Sequence, residues 1–578
     1  MLSLKDTYSQ MKKKGFFGKK VRERKCLDEA LEIIEGQILE VKPTLTFIQL
    51  PPGYGKTAIP YALSLWALSL NDTYLERSIH VLPLRSIVED SWKRFKDGLE
   101  GIGLNADYAE KIAGAQCMFI HGSPFLQKNL AITTLDTFAL LATKLPPTEL
   151  RKIAHEDSLG HFEIPRGALL SSAIVFDEAH LFLEEGSKRS YERALTTLLA
   201  LIRALLKLRI PIVLMTATFP HNWRQELGEW FKCREPKLIV RTLTYDDENF
   251  KDKEFDDEIK STTMRTKLLY DDTNYIKEIM EASKSYERIL VTTNTIRRAK
   301  ELYEKLREYH PILLHSKFTQ NDRKNKLDMI SDGKNKWICI STQVIEAGVD
   351  ISAQILFTDI APPCSLVQRA GRCCRPSHES ESGEGIMVIC TSKNAISSAC
   401  EIYENNVIER TKEILEKINS DFNWHFYPEY MSMLEKVYSG YKFDLTQRIN
   451  YSQYQSILSI FLHPYYDSRD SFNLLLNIGS LTRDKPLITG IVCKDEDLHK
   501  VIEDFSKYEG SIMPLEFNDV YKIASHYRVK LLTAKSEEDF NMQVLSNEKI
   551  FYERLLYGDI IAIQIPPEIY DKECGLKI

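Results

Sequence analysis

The chain has 578 residues, 43% of them apolar and 27% charged, and a formal net charge of −6. It is too long for a single core, and about three to four domains are expected. The balance excludes a wholly disordered chain and a uniformly basic nucleic-acid coat, though not a locally charged groove. No run approaches the ~20 apolar residues of a membrane span. Its 11 cysteines form no Cys-x-x-Cys pair, which speaks against a zinc ribbon and a disulfide framework and for a reducing compartment.

In chain order, residues 1–30 form a basic segment containing "MKKKGFFGKKVRERK", expected as a solvated tail or a backbone-contacting arm. Residues 31–245 then alternate short apolar runs with longer helical patterns. Strands are expected at 45–50, 78–82, 172–176 and 210–215, with helices at 58–70 and 86–95. The acidic stretch 246–258 marks a connection, taken as 246–285. Alternation resumes over 286–400, with strands at 288–293, 312–315, 337–342, 354–360 and 385–390 and a helix at 296–306. The fold class predicted is α/β: two tandem parallel-sheet lobes with crossover helices, followed by an accessory domain over 401–578. That last region is tyrosine-rich, mixed in pattern, and carries no motif that reads as chemistry.

The sharpest local signal is "LPPGYGKT", residues 50–57, where a buried strand hands over to a helix. Leu50 stands where a strict phosphate loop has glycine, yet the working parts are present. Pro52, Gly53, Tyr54 and Gly55 form a turn whose N–H groups can wrap an anion, Lys56 can reach phosphates, and the Thr57 hydroxyl can ligate Mg2+. "VFDEAH" ends the next apolar strand, placing Asp177 to hold Mg2+ through water and Glu178 to polarise an attacking water. In "MTATF", Thr216 and Thr218 are expected to bond to those carboxylates. "STQVIEAGVDIS" offers Thr342, Gln343, Glu346, Gly348 and Asp350. "QRAGRCCRP" offers Gln368, Arg372 and Arg375, the two arginines expected on one helix face, aimed at a triphosphate held by the first lobe. The adjacent Cys373 and Cys374 lie in no metal-ligand pattern and read as filling.

In this order, "PPGYGKT", "DEAH", "TAT", "TQVIEAGVD" and "QRAGRCCR" resemble motifs I, II, III, V and VI of a superfamily 2 DExH helicase, which implies two RecA-like lobes. The finer spelling is similar to the CRISPR-associated helicase of type I interference, with "VLPLRSIVED", "TTLDTF", "TTNTIRRAKELY" and "LLHSKFTQNDR" as further matches over about 45–395. The resemblance implies a 3′–5′ DNA helicase or translocase, stimulated by single-stranded DNA and dependent on ATP and Mg2+. It would be prokaryotic and cytoplasmic, and would unwind target DNA opened by a guide-RNA effector complex. His180 would couple the lobes, Thr216 and Thr218 would link hydrolysis to unwinding, and Asp350 would lie near the ribose. Gln368, Arg372 and Arg375 would sense the γ-phosphate. Nucleic acid would run along Arg85, Thr134, Asp136, Asn294, Thr295, His315, Arg323 and Thr342. None of the 13 histidines is followed by aspartate, so the form expected lacks the metal-dependent HD nuclease domain of larger members and works with a separate HD-type nuclease subunit. An RNA or repair helicase, and a non-turnover ATP-dependent clamp, are the alternatives.

Overall fold

The computed structural model describes residues 2–18, 23–70, 74–182, 188–247, 251–261, 264–331, 336–346, 349–374, 385–440, 444–533, 536–540 and 548–577. The first sheet has eight strands: β1 (Thr44–Gln49), β2 (Arg77–Leu82), β3 (Ala113–Cys117), β4 (Ile120–His121), β5 (Leu130–Thr134), β6 (Ser172–Phe176), β7 (Ile212–Thr216) and β8 (Ile239–Thr244). Their order is β4-β3-β5-β2-β6-β7-β1-β8, with every pairing parallel except β3 with β4. Every residue of β1, β5, β6 and β7 is buried, as continuous apolar runs in a sheet covered on both faces require.

The second sheet holds β9 (Met264–Leu269), β10 (Arg288–Thr292), β11 (Ile312–Leu314), β12 (Trp337–Ser341), β13 (Ile355–Asp359) and β14 (Gly385–Cys390). All its pairings are parallel, in the order β11-β12-β10-β13-β14-β9. Here the structure corrects the connection expected over 246–285. Residues Lys253–Ser261 form a helix that buries Phe255 and Ile259, and β9 is an edge strand of the second lobe. The apolar signal of "MRTKLL" is masked by the two cations that such an edge carries.

The basic N-terminal segment departs from expectation as well. Leu4–Lys14 is a helix closed at its start by a Ser3–Asp6 capping box, and it buries Leu4, Tyr8 and Met11 against the first lobe. Lys12, Lys13 and Lys14 occupy its last turn, where they complement the helix dipole.

Beyond the second sheet, helices at Asn405–Leu415, Tyr427–Tyr438, Tyr451–Leu462 and Ser468–Ile478 lead into a third, mixed sheet. That sheet comprises β15 (Ile488–Val492), β16 (Ile512–Leu515), β17 (Val529–Thr533), β18 (Glu537–Phe540) and β19 (Ile560–Ile565) in the order β16-β15-β19-β17-β18. The helical stretch packs on both lobes. Tyr438 meets Trp223 at 4.8 Å between ring centroids and Tyr454 meets Trp230 at 5.6 Å. On the other side the Trp424 indole N–H donates to Thr266 Oγ1 at 2.9 Å. One apolar core therefore runs from Leu4 through the first lobe into the second lobe and the helices.

Candidate functional site

Sheet order explains why distant segments meet. β6, β7 and β1 are neighbours and parallel, so the loops leaving their C-terminal ends lie side by side. Those loops carry Pro51–Thr57, Asp177–His180 and Ala217–Phe219. Gly53 and Gly55 adopt left-handed φ values of 76° and 97°, which only glycine takes without strain, and both are exposed. Thr57 immediately precedes the helix Ala58–Ser69, its hydroxyl making no capping bond to it. The buried Lys56 ammonium donates to the carbonyls of Leu50 at 2.9 Å and Pro51 at 3.1 Å, and burial lowers its pKa against the pull of Glu178 and Asp177. Tyr54 turns away from this loop. Its ring packs edge-on against Tyr245 and Phe255, and its hydroxyl donates to Asp252 Oδ2 at 3.2 Å, so only its backbone faces the anion cradle.

The Asp177 carboxylate is 5% exposed and held on both oxygens: Oδ1 accepts the Glu178 N–H at 2.8 Å and Oδ2 meets His80 Nε2 at 3.2 Å. Burial alone would raise its pKa, but the His80 hydrogen bond and charge, then Lys56, keep it below the usual carboxylate range. Glu178 sits at φ 49°, strained for a side chain with a Cβ, and burial pushes its carboxyl up to about 7 although Lys56 opposes this. Burial likewise brings the His180 imidazole down to about 3, so it is neutral.

The lobes meet at Gln368, on the helix Pro363–Ala370. Its amide nitrogen lies 2.9 Å from His180 Nε2 and 3.3 Å from Glu178 Oε2, while its buried Oε1 has no partner among the described residues. With His180 neutral and accepting at Nε2, its Nδ1–H donates to Thr216 Oγ1 at 2.7 Å, which also accepts the Thr218 N–H at 3.2 Å. Thr216 therefore bonds to His180 rather than to the carboxylates, and Thr218 Oγ1 is buried without a hydrogen bond among the described residues. The carboxylates find nearer donors in a backbone N–H and in His80.

Arg372 does not lie on the helix of Gln368, contrary to the spacing argument. That helix stops at Gly371, and Cys373 bridges to Ala353 while Cys374 turns left-handed at φ 45°. Pairing with Ala353 pulls the chain off the helical path. Arg372 donates Nε to Ile345 O at 3.1 Å and Nη2 to Glu346 O at 2.7 Å. Gly348 and Arg375 lie outside the described residues. Asp350 is half-exposed and faces Arg94 of the first lobe at 3.8 Å.

Sequence reasoning passed over Arg369, which is fully buried. Its guanidinium donates to Glu346 Oε1 at 2.7 Å, Thr358 Oγ1 at 2.9 Å, Asp359 O at 3.1 Å and Asn294 Oδ1 at 2.8 Å. It also passed over His80, whose only signal was a lone polar residue inside an apolar strand.

The residues expected along nucleic acid are mostly engaged internally. Asn294 binds Arg369 and also donates to Ile360 O at 2.8 Å. Thr134 and Thr295 cap helices. Thr342 is buried, its N–H donating to Leu314 O at 3.3 Å. His315 is buried with Nε2 3.1 Å from Cys574 O. Asp136 accepts from Arg483 at 3.0 and 3.2 Å and from Thr482. Arg85 lies over the Phe119 ring at 4.8 Å and pairs with Glu89 at 3.3 Å. Burial and the charge of Arg85 lower the Arg323 guanidinium to about 10, which places two cations of opposite lobes within each other's field.

Fold and site together resemble the core of a DEAD/DEAH box helicase. Residues 30–227 match the DEAD/DEAH box helicase family and residues 285–378 the C-terminal part of CRISPR-associated nuclease/helicase Cas3. Within that class the chain resembles the Cas3 helicases. It is 32% identical over 219 residues to a putative CRISPR-associated nuclease/helicase Cas3 of Methanocaldococcus jannaschii, covering 36% of this chain and 27% of that protein. It is 24% identical over 357 residues to the CRISPR-associated helicase Cas3 of Thermoproteus tenax, covering 60% and 56%. The chain thus spans little more than half, or less, of the curated relatives' length. T. fusca Cas3 solved with ATP shares the fold at a TM-score of 0.63 and 15% identity, over 98% of this chain and 69% of that one. Among the described residues no helix is long and apolar enough to cross a membrane.

Proposed function

We propose that the chain is an ATP-dependent 3′–5′ DNA translocase of type I CRISPR interference, unwinding target DNA that a guide-RNA effector complex has opened. The observation that carries the reading is Gln368, whose amide reaches Glu178 and His180 across the lobe junction at 3.3 and 2.9 Å. A nucleotide between the lobes would be cradled by the N–H groups of Gly53 to Thr57 and countered by Lys56 and Arg372, with Asp350 on the far side. Glu178 and Gln368 would orient the attacking water, and the unpaired Gln368 Oε1 is an acceptor suited to it. His180, Thr216 and Thr218 form the chain by which a change at the γ-phosphate reaches the first lobe.

Two hard oxygen donors, the Thr57 hydroxyl and the Asp177 carboxylate, fit Mg2+, which keeps most of its waters and takes few protein ligands. When bound, Mg2+ neutralises charge on the phosphate oxygens. Asp177 would hold it through water.

The Arg85–Arg323 pair supports a sequence-blind track for phosphates between the lobes, and such a track weakens as salt rises. We further propose that cleavage of the unwound strand falls to a separate HD-type nuclease subunit. ATPase and strand-displacement assays with single-stranded DNA, duplex DNA and RNA, with and without an effector complex, test the reading. DNA-stimulated turnover with 3′–5′ displacement is expected. Stimulation by RNA alone refutes the substrate, and nucleotide binding without turnover favours an assembly clamp. Metal-dependent DNA cutting by the purified chain refutes the separate nuclease.

A further inference from the structure

We propose that His80 is a positioning residue for Asp177, fixing the carboxylate in the orientation from which it holds Mg2+ through water. The proposal rests on the reading of Asp177 just given. Strand register brings the two together. β2 and β6 are parallel, with His80 opposite Val175, and Asp177 lies two residues beyond Val175, on the same face of the sheet. The Asp177 N–H continues the ladder by donating to Val81 O at 2.9 Å.

Two helices cover that face and complete the chain of contacts. Ser91, on the helix Arg85–Gly101, places Oγ 3.3 Å from His80 Nδ1. Tyr61, on the helix Ala58–Ser69, donates its hydroxyl to Ser91 O at 2.8 Å and lies 2.9 Å from Ser91 Oγ. An ionised carboxylate only accepts, so Nε2 carries a proton and donates it to Asp177 Oδ2, while the Ser91 hydroxyl bonds to Nδ1. The Glu178 N–H occupies Oδ1, so the plane of the carboxylate is set from both sides and each oxygen keeps a lone pair for a metal-bound water.

Ser91, His80 and Asp177 are the residue types of a hydrolase triad, but their arrangement rules that out. The carboxylate meets Nε2 and the hydroxyl meets Nδ1, the reverse of what a serine nucleophile needs. Ser91 is also only 2% exposed and His80 fully buried, so no substrate reaches them. The trio orients a carboxylate and attacks nothing.

The test uses the full chain and a fluorescent ADP analogue, titrated without Mg2+ and with increasing Mg2+, for the wild type, His80→Leu, His80→Gln and Ser91→Ala. Groups that orient a metal ligand are typically worth 10–100-fold in metal affinity. His80→Leu is therefore expected to weaken apparent Mg2+ affinity by about 10–100-fold while leaving Mg2+-free nucleotide affinity in place. His80→Gln, whose amide N–H replaces Nε2–H, recovers most of the loss, and Ser91→Ala falls between. A folded His80→Leu with wild-type Mg2+ affinity overturns the proposal, as does an equal loss of Mg2+-free binding. If His80→Leu does not fold, Ser91→Ala decides, and a wild-type Mg2+ affinity there overturns it. A wild type whose nucleotide binding ignores Mg2+ instead refutes the underlying assignment of Asp177.

Discussion

Arg369→Met removes a charge from the interior of the second lobe while nearly keeping its volume. Four acceptors lose their donor: Glu346 Oε1, Thr358 Oγ1, Asp359 O and Asn294 Oδ1. Glu346 suffers most, because it is 5% exposed and burial already raises its pKa with Arg369 in place. Stripping one member from a buried ion pair costs about 3–5 kcal/mol, mostly as the penalty of the charge left behind. In a unit of roughly 150–250 residues each kcal/mol moves the melting temperature by about 2–4 °C, so the second-lobe transition should fall by about 6–20 °C. Thermal unfolding followed by calorimetry at pH 7 reads this directly. Adding Glu346→Gln to Arg369→Met should return part of the loss, since it removes the orphaned charge and leaves only unpaired neutral groups. A fall below about 2 °C for the single variant would refute the reasoning, because it would mean that water or another cation serves Glu346.

Glu178→Gln should lower ATP turnover by about 10²–10⁴-fold while nucleotide binding survives; phosphate release and fluorescence titration check both halves, and an unchanged rate removes Glu178 from the chemistry. The second lobe should also lose stability as pH rises through about 6, because burial holds the Asp359 carboxyl there, above its usual value, against the pull of Arg298, whose Nε lies 3.4 Å away. That contribution is complete below pH ~4, vanishes above ~6 and amounts to about 3 kcal/mol; Asp359→Asn should flatten the pH dependence of melting across that window, and an unaltered slope contradicts it. Cys373→Ala and Cys374→Ala should keep wild-type ATPase and lose only about 1 kcal/mol each in thermal melts, because both sulfurs are buried as packing; loss of turnover in either one sinks that assignment.

The elements legible in the sequence were those whose signal is local. β1, β6, β7, β10 and β13 are continuous apolar runs and fall within a residue or two of the expected spans. β3 ("AGAQC"), β8 ("IVRTLT") and β9 ("MRTKLL") were not, because small or charged residues break the apolar pattern and neighbouring strands supply the order. The loop glycines and Asp177–Glu178 were legible as spelling, since their chemistry demands fixed residue types. His80 and Arg369 were not, because their roles arise only when β2 meets β6 and when the helix Pro363–Ala370 meets β13 and the segments that follow β10 and β12. The arginines of "QRAGRCCRP" show the limit of spacing: three residues apart reads as one helix face, yet the bridge from Cys373 to Ala353 ends the helix first.

The region in which no chemistry was legible, beyond residue 400, supplies contacts to the backs of three motifs. The Tyr430 hydroxyl donates to Ala217 O at 3.3 Å in the first lobe, and His425 Nε2 lies 3.0 Å from Cys373 O in the second. Tyr403 accepts from the Gln343 amide at 3.4 Å. Two of the three partners are main-chain carbonyls, which any sequence presents, so nothing in the spelling of 401–438 could announce them. Tyrosine suits this work because it buries a rigid apolar ring and still offers one polar tip. A segment of some six residues thus ties the loop after β7 to the turn that bears Arg372. Any change in lobe separation must carry that segment along or break one of its bonds. Each such bond is worth only about 1 kcal/mol net, against the charge-assisted bonds that a phosphate would make to Lys56 and Arg372 in place of their present carbonyl acceptors.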